Sequence, residues 1–267
     1  MPIESCLCCL DTADRRISTN AGAKAVVRSF AYSALALTVA GLVCMAPAKA
    51  ATPNILIVLA DDMGYGDLGC TGSKLLKTDR IDELARSGVL CKQAYVASSV
   101  CSPSRAGLIT GRDPRRFGYQ GNLNMAGPNY ATRLDLLGLP PGEHTLGDHL
   151  GAAGYSTALI GKWHLGTGDG FHPQQRGFQY FCGMLGGGHS YFPKPENNKL
   201  ERNGVPLKDF PSPYLTDFFT DEALEWIGGQ ESANDDKPWF LFLSYNAPHG
   251  PLQATEKDLE ACSHIKD

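Results

Sequence analysis

Residues 54–62 read Asn54-Ile55-Leu56-Ile57-Val58-Leu59-Ala60-Asp61-Asp62. Six apolar residues in unbroken succession, three of them β-branched, make a run of strand length. A strand apolar on both faces is expected in the middle of a parallel sheet, with helices above and below it. The run ends abruptly in two carboxylates. In open α/β sheets ligands bind beyond the carboxyl ends of the strands. Asp61 and Asp62 therefore mark a place to look for chemistry.

Outward from this strand, helix and strand signals alternate. Thr78 is placed to cap a helix carrying Ile81, Leu84 and Ala85, closed by Gly88. An extended segment is expected near 89–96. Ser102 as N-cap, Pro103 at the first helical position and Gly111 at the stop predict a short helix over 102–110. Thr145 caps a helix that runs to Ala153 and stops at Gly154. Residues 155–161 predict a strand running into Lys162 and His164. The Gly- and Pro-rich stretch 166–213 reads as irregular surface with room for one small hairpin. An amphipathic helix is expected over 215–227, and an apolar strand over 239–245 that runs into His249. This alternation defines an α/β fold with a mainly parallel sheet.

The chain has 267 residues, enough for one large domain or two small ones and for a core without disulfide staples. Lys and Arg number 24 and Asp and Glu 28, a net charge of -4. That mild acidity excludes bulk binding to nucleic acid or an anionic membrane, which needs a basic face. Five basic and three acidic residues fall in 1–50, leaving 19 basic and 25 acidic in 51–267, a net of -6. In the first segment Lys24 and Arg28 precede an apolar run over 30–45, followed by Ala48-Lys49-Ala50. This is the order of a secretory signal peptide with an A-x-A cleavage site. Residues 1–50 are thus expected to be leader, with Ala51 near the mature N-terminus, the product periplasmic or secreted, and no stable membrane span after cleavage. A lipid anchor on Cys44 is disfavoured by the bulk of Val43. The mature part keeps Cys70, Cys91, Cys101, Cys182 and Cys262, an odd number, so at least one is unpaired.

Three predicted strands end in reactive residues: Asp61 and Asp62, then Lys162 and His164, then His249. Two adjacent carboxylates suit a hard cation, although one N-cap and one turn residue account for the same pattern. Cys101 stands just before the predicted helix start, where free N–H groups and partial positive charge attract anions. Arg105 adds a fixed fork for an oxyanion. The pattern suits a nucleophile facing a tetrahedral anion. It also suits a low-pKa thiolate paired with His164 or His249, or a plain buried cysteine.

Cys101-Ser102-Pro103-Ser104-Arg105, continuing Ala-Gly-Leu-Ile-Thr-Gly to Gly111, resembles the first signature of the type I, formylglycine-dependent sulfatases. The run from Gly154-Tyr155-Ser156 to Gly161-Lys162-Trp163-His164 resembles the second. Asp61-Asp62-Met63-Gly64-Tyr65-Gly66-Asp67 and Ala247-Pro248-His249 resemble the family in order and distance, so the likeness covers essentially all of 52–267. It implies an alkaline-phosphatase-like fold and hydrolysis of sulfate esters. Cys101 would be oxidised by a formylglycine-generating or sulfatase-maturing enzyme to an aldehyde, 3-oxoalanine. One hydroxyl of its hydrate would attack sulfur and the other would expel sulfate. Asp61, Asp62 and residue 101 would hold calcium or another divalent metal. Arg105 would steady the hydrate, Lys162 and His249 would contact the sulfate, His249 would help protonate the leaving oxygen, and His164 would be the base that releases sulfate. Arg-Phe-Gly-Tyr at 116–119 and the loop with His189 and Tyr191 resemble arylsulfatases and N-acetylgalactosamine-6-sulfatase-like enzymes, which points to sulfated glycans. His172, His189 and Tyr191 are candidates to line the substrate pocket.

The family pattern also implies a later strand ending in Asp-Asn or Asp-His and a further Lys beyond it. Neither occurs before Asp267, and Asp148-His149 falls inside the predicted Thr145 helix. The sequence resembles the N-terminal portion of a sulfatase, short of the last strands and the small C-terminal domain. Two other readings follow from this. One is an inactive fragment or a binder of sulfated ligands. The other is a phosphomonoesterase or phosphonate hydrolase of the same superfamily, disfavoured because those present Ser or Thr as nucleophile.

Overall fold

The computed structural model describes residues 52–123, 138–194, 198–208, 212–233 and 236–266. The leader reading over 1–50 lies outside the described residues. Among the described residues six strands form one sheet: β1 (Ile55–Asp61), β2 (Ser156–Lys162), β3 (Tyr180–Met184), β4 (Leu200–Arg202), β5 (Val205–Pro206) and β6 (Trp239–Pro248). Their order is β1-β6-β2-β3-β4-β5. The pairings β1–β6, β6–β2 and β2–β3 are parallel, and β3–β4 and β4–β5 antiparallel. The helices are α1 (Asp79–Ser87), α2 (Cys101–Thr110), α3 (Leu146–Ala152), α4 (Leu215–Ser232) and α5 (Glu256–Ala261).

The period of two along each strand sorts the core into two layers. Leu159, Phe181, Phe240 and Phe242 point to one face and pack with Ala106 and Ile109 of α2, flanked by Leu146 and Leu150 of α3. Ala158, Ile160, Cys182, Met184, Leu241 and Leu243 point to the other and pack on Phe218, Phe219 and Ala223 of α4. Each fully buried Leu, Ile or Phe contributes about 1.5–3 kcal/mol. This is the expected α/β architecture, with helices on both faces of a mainly parallel sheet.

Four details depart from the sequence reading. β1 is not central among the described strands; it pairs only with β6. Ile55, Ile57 and Leu59 reach the first layer, while Leu56 and Val58 remain 48% and 56% exposed. Second, α2 starts at Cys101 with Val100 as N-cap, because Ser102 spends its hydroxyl on tertiary partners instead of capping. Third, residues 89–96 form no strand and are mostly exposed, as nothing pairs with them. Fourth, the stretch 166–213 holds the expected hairpin, β4–β5, and also the buried parallel strand β3. The segment Tyr-Phe-Cys-Gly-Met carries only five residues of strand pattern, too short to stand out among its glycines.

The α3 start is as expected. Thr145 Oγ1 accepts from Asp148 N at 3.1 Å while Asp148 Oδ2 accepts from Thr145 N at 2.8 Å, a reciprocal capping box. Among the described residues no helix is long and apolar enough to cross a membrane.

Candidate active site

The parallel strands β1, β6 and β2 lie side by side, and their carboxyl ends carry Asp61, His249 and Lys162. Asp61 closes β1 and pairs across a register shift with Pro248, the residue before His249. Residues nearly 190 positions apart therefore meet at one sheet end, where the topology predicts a ligand. The first turn of α2 points into the same place. Ligand atoms of Asp61, Cys101 and His249 lie within 4.8 Å of one another.

Asp61 is buried between two cations. Lys162 Nζ donates to its Oδ2, and Arg105 Nη2 lies 3.4 Å from its Oδ1. Burial alone would raise the Asp61 carboxyl, but Arg105 and Lys162 outweigh it and hold the group below the usual carboxylate range. Lys162 is itself fully buried. Gly161, at φ 109°, makes that placement possible: a Cβ there would meet the Ser244 carbonyl oxygen of β6 at 1.9 Å. Arg105 is locked from behind. Its Nη1 donates to the Lys162 carbonyl at 3.0 Å and to Ser244 Oγ at 2.5 Å, and Ser244 Oγ donates to the same carbonyl at 2.8 Å. Burial pulls the guanidinium down, and Asp61 opposes that shift.

Arg105 Nε and Nη2 and both ring nitrogens of His164 are buried without a hydrogen-bond partner. Orphaned buried polar groups are costly and rare. Four such atoms stand together, two of them on a fixed cation, an arrangement chemically suited to an anion. Burial first, then Lys162 and Arg105, pushes His164 down to about 3, so its imidazole is neutral near pH 7. His249 is oriented differently. Its Nδ1 donates to the Gly250 carbonyl at 2.7 Å, leaving Nε2 toward Asp62 Oδ2 at 3.8 Å.

The structure thus gathers Asp61, Cys101, Arg105, Lys162, His164 and His249. Asp62 stands at the rim, exposed, with φ 66°, and its contact in the site is His249. The candidate pocket residues fare less evenly. His172 is tied to Glu201 at 2.6 Å. His189 is buried, and its Nδ1 donates to the Ser190 carbonyl at 2.7 Å. Tyr191 is buried too, and its hydroxyl reaches the carbonyls of Asn246 and His249 at 2.9 and 2.7 Å. It braces the His249 loop by its hydroxyl and also lines a cavity of about 350 Å³ with Tyr214, Pro248, Pro251 and Leu252.

Sequence reasoning did not single out Ser102, Ser244, Asn246 or Tyr119 as site supports. Ser102 Oγ donates to the His164 carbonyl at 2.6 Å and lies 2.7 Å from the Tyr119 hydroxyl. Asn246 Nδ2 donates to the His189 carbonyl at 3.2 Å. Ser244 offered a signal, as the one polar residue inside the apolar run 239–245.

A carboxylate held between two cations, a cysteine at a helix start and two imidazoles stand together at the carboxyl end of a mainly parallel α/β sheet. The Sulfatase family profile matches residues 53–266, and the chain belongs to that family. It is 35% identical to N-acetylgalactosamine-6-sulfatase of Mus musculus over 242 residues, 84% of this chain and 45% of that protein. Among solved structures it is similar to Ps i-CgsB in complex with k-i-k-neocarrahexaose, at 38% identity and TM-score 0.71, over 80% of this chain and 49% of that one. It is also similar to BT4656 in complex with its substrate D-glucosamine-2-N,6-O-disulfate, at 25% identity and TM-score 0.62, over 80% and 38%. The chain spans less than half the length of these relatives.

Proposed function

We propose that this protein hydrolyses sulfate esters, with sulfated glycans as the substrate class, at the site made by Asp61, Cys101, Arg105, Lys162, His164 and His249. One observation carries the reading: the Asp61, Cys101 and His249 ligand atoms converge within 4.8 Å beside Arg105, whose Nε and Nη2 make no hydrogen bond. The sulfated sugar named as the substrate of BT4656 supports the substrate class.

The donor set fits a divalent cation. Asp61 brings a carboxylate within 4.8 Å of residue 101 and His249, and Asp62 adds a second carboxylate 3.8 Å from His249 Nε2; with an oxygen on residue 101 in place of sulfur, the set would suit a hard cation such as calcium. Such an ion would polarise a sulfate oxygen. The aldehyde formed from Cys101 would supply, as its hydrate, the hydroxyl that attacks sulfur.

The remaining chemistry belongs to residues in place. Arg105 is pre-organised by Ser244 and the Lys162 carbonyl, so its free N–H groups meet charge on the anion without first having to be ordered. Lys162 keeps Asp61 ionised and shares its ammonium with a sulfate oxygen. His249 can give a proton from Nε2 only as imidazolium, because its Nδ1 proton is committed to Gly250. In that form it protonates the leaving oxygen. His164, neutral and unpartnered, accepts the proton when sulfate departs. An anion in the site raises its basicity by charge attraction.

The reading includes export, with residues 1–50 as a leader removed near Ala51. N-terminal sequencing of secreted protein that begins at Met1 would contradict this. The chemical reading is tested by mass spectrometry of the Cys101 peptide after co-expression with a sulfatase-maturing enzyme. An aldehyde in place of the thiol is expected. An unmodified thiol, or faster turnover of phosphate than of sulfate monoesters, contradicts the proposal.

A further inference from the structure

Three consecutive glycines, Gly186, Gly187 and Gly188, follow β3, and their surroundings differ. None has φ in the left-handed region, so the backbone requires glycine at none of them. Space is what separates them. A Cβ on Gly186 would meet nothing within 4 Å. One on Gly188 would lie 3.5 Å from His249 Cε1, an ordinary contact. One on Gly187 would lie 2.6 Å from Cε1 and 2.7 Å from Nε2 of His164.

The His164 ring lies inside the site. The residue is 5% exposed. Its backbone sits at φ 59°, with its N–H donating to the Leu185 carbonyl at 3.1 Å and its carbonyl accepting from Ser102 Oγ at 2.6 Å. Neither ring nitrogen has a hydrogen-bond partner. An imidazole without hydrogen bonds is oriented by packing alone.

We propose that Gly187 is a positioning residue for His164. Its backbone forms the wall against the Cε1–Nε2 edge of the ring, and the missing side chain sets how close that wall stands. A methyl group there forces the ring to move or turn. Proton transfer needs the ring nitrogen within about 2.6–3.2 Å of the group it serves, so such a shift removes the ring from reach. The role of His164 as base rests on the sulfatase reading; the contact itself does not.

The test compares Gly187→Ala with Gly186→Ala, each alone and combined with His164→Ala. Thermal unfolding is read on each protein, and the ring resonances of His164 by nitrogen-15 NMR on those that keep the histidine. Gly187→Ala is expected to lower Tm by roughly 4 °C or more and Gly186→Ala by about 1 °C or less. Adding His164→Ala to Gly187→Ala should bring Tm to within about 1 °C of His164→Ala alone, the signature of a direct pair. The His164 ring resonances should move in Gly187→Ala and stay in Gly186→Ala. On the matured enzyme with a chromogenic sulfate ester, Gly187→Ala should lower kcat about 10-fold or more and leave KM within about twofold. If Gly187→Ala does not fold, a folded double variant supports the proposal and an unfolded one contradicts it. A Tm loss of the same size with and without His164, or unmoved ring resonances, overturns it. Absence of turnover in the unsubstituted protein would count against the sulfatase reading and leave the Tm cycle and the spectra to decide the contact.

Discussion

At the scale of single residues, the site is held by charge placed where water is scarce. His164 shows the consequence for pH. Folding holds its pKa at about 3, against about 6.5 in an unfolded chain. Protonation is therefore easier in the unfolded state, and stability falls as pH drops below about 6.5. The loss at about pH 5 is roughly 2 kcal/mol relative to neutral pH, and it continues toward about pH 3. Urea unfolding across this range measures it, and His164→Gln should flatten the slope. An unchanged slope in that variant would place the effect elsewhere. Asp61 gives a second prediction. It faces Lys162, which is fully buried, so Asp61→Asn leaves an ammonium without its counter-charge. Breaking a buried pair from one side costs about 3–5 kcal/mol. Urea midpoints check this; a loss under about 1 kcal/mol would mean Lys162 finds another partner.

At the scale of elements, the legible parts were those where one force decides the outcome. β1, β2, β6 and α4 are long apolar or periodic segments, and the short α3 is marked by its Thr145 capping box. β3 is five residues between glycines, and its burial comes from neighbours far away in sequence. The start of α2 was displaced for a related reason. Ser102 is a good cap by local chemistry, yet its hydroxyl serves His164 and Tyr119 across the fold. Local propensity loses to a tertiary hydrogen bond here. Asp61, Cys101, Arg105, Lys162, His164 and His249 were legible as strand ends and a signature. Ser244, Asn246 and the brace from Tyr191 were not, since their meaning depends on which strands adjoin. Ser102→Ala should cost about 1–3 kcal/mol, because the buried Tyr119 hydroxyl loses its partner. Tyr191→Phe should free the His249 loop and lower turnover of a sulfate ester more than it lowers Tm. Equal activity in Tyr191→Phe and the unsubstituted enzyme would show that the loop holds without the hydroxyl.

At the scale of the whole molecule, the apolar surface is uneven. The face of β1 carrying Leu56 and Val58 has no helix over it among the described residues, whereas the neighbouring strands are covered by α4. On the opposite face a groove of about 250 Å³ runs between Leu59, Tyr95, Val96 and Leu108 and reaches Arg105. A long uncovered edge with large apolar side chains attracts other chains. The protein should therefore bind a hydrophobic dye, and Leu56→Lys with Val58→Thr should reduce the signal. Unchanged dye binding in that variant would assign the signal to the groove.

On the proposed function, these residues form a sulfate-ester hydrolase site built around position 101. Inorganic sulfate released from a sulfated oligosaccharide by the matured protein, against a Cys101→Ala control, tests it most directly. Release that depends on Cys101 and stops in the control is expected. Release no greater than that of Cys101→Ala, from protein whose residue 101 carries the aldehyde, would contradict it.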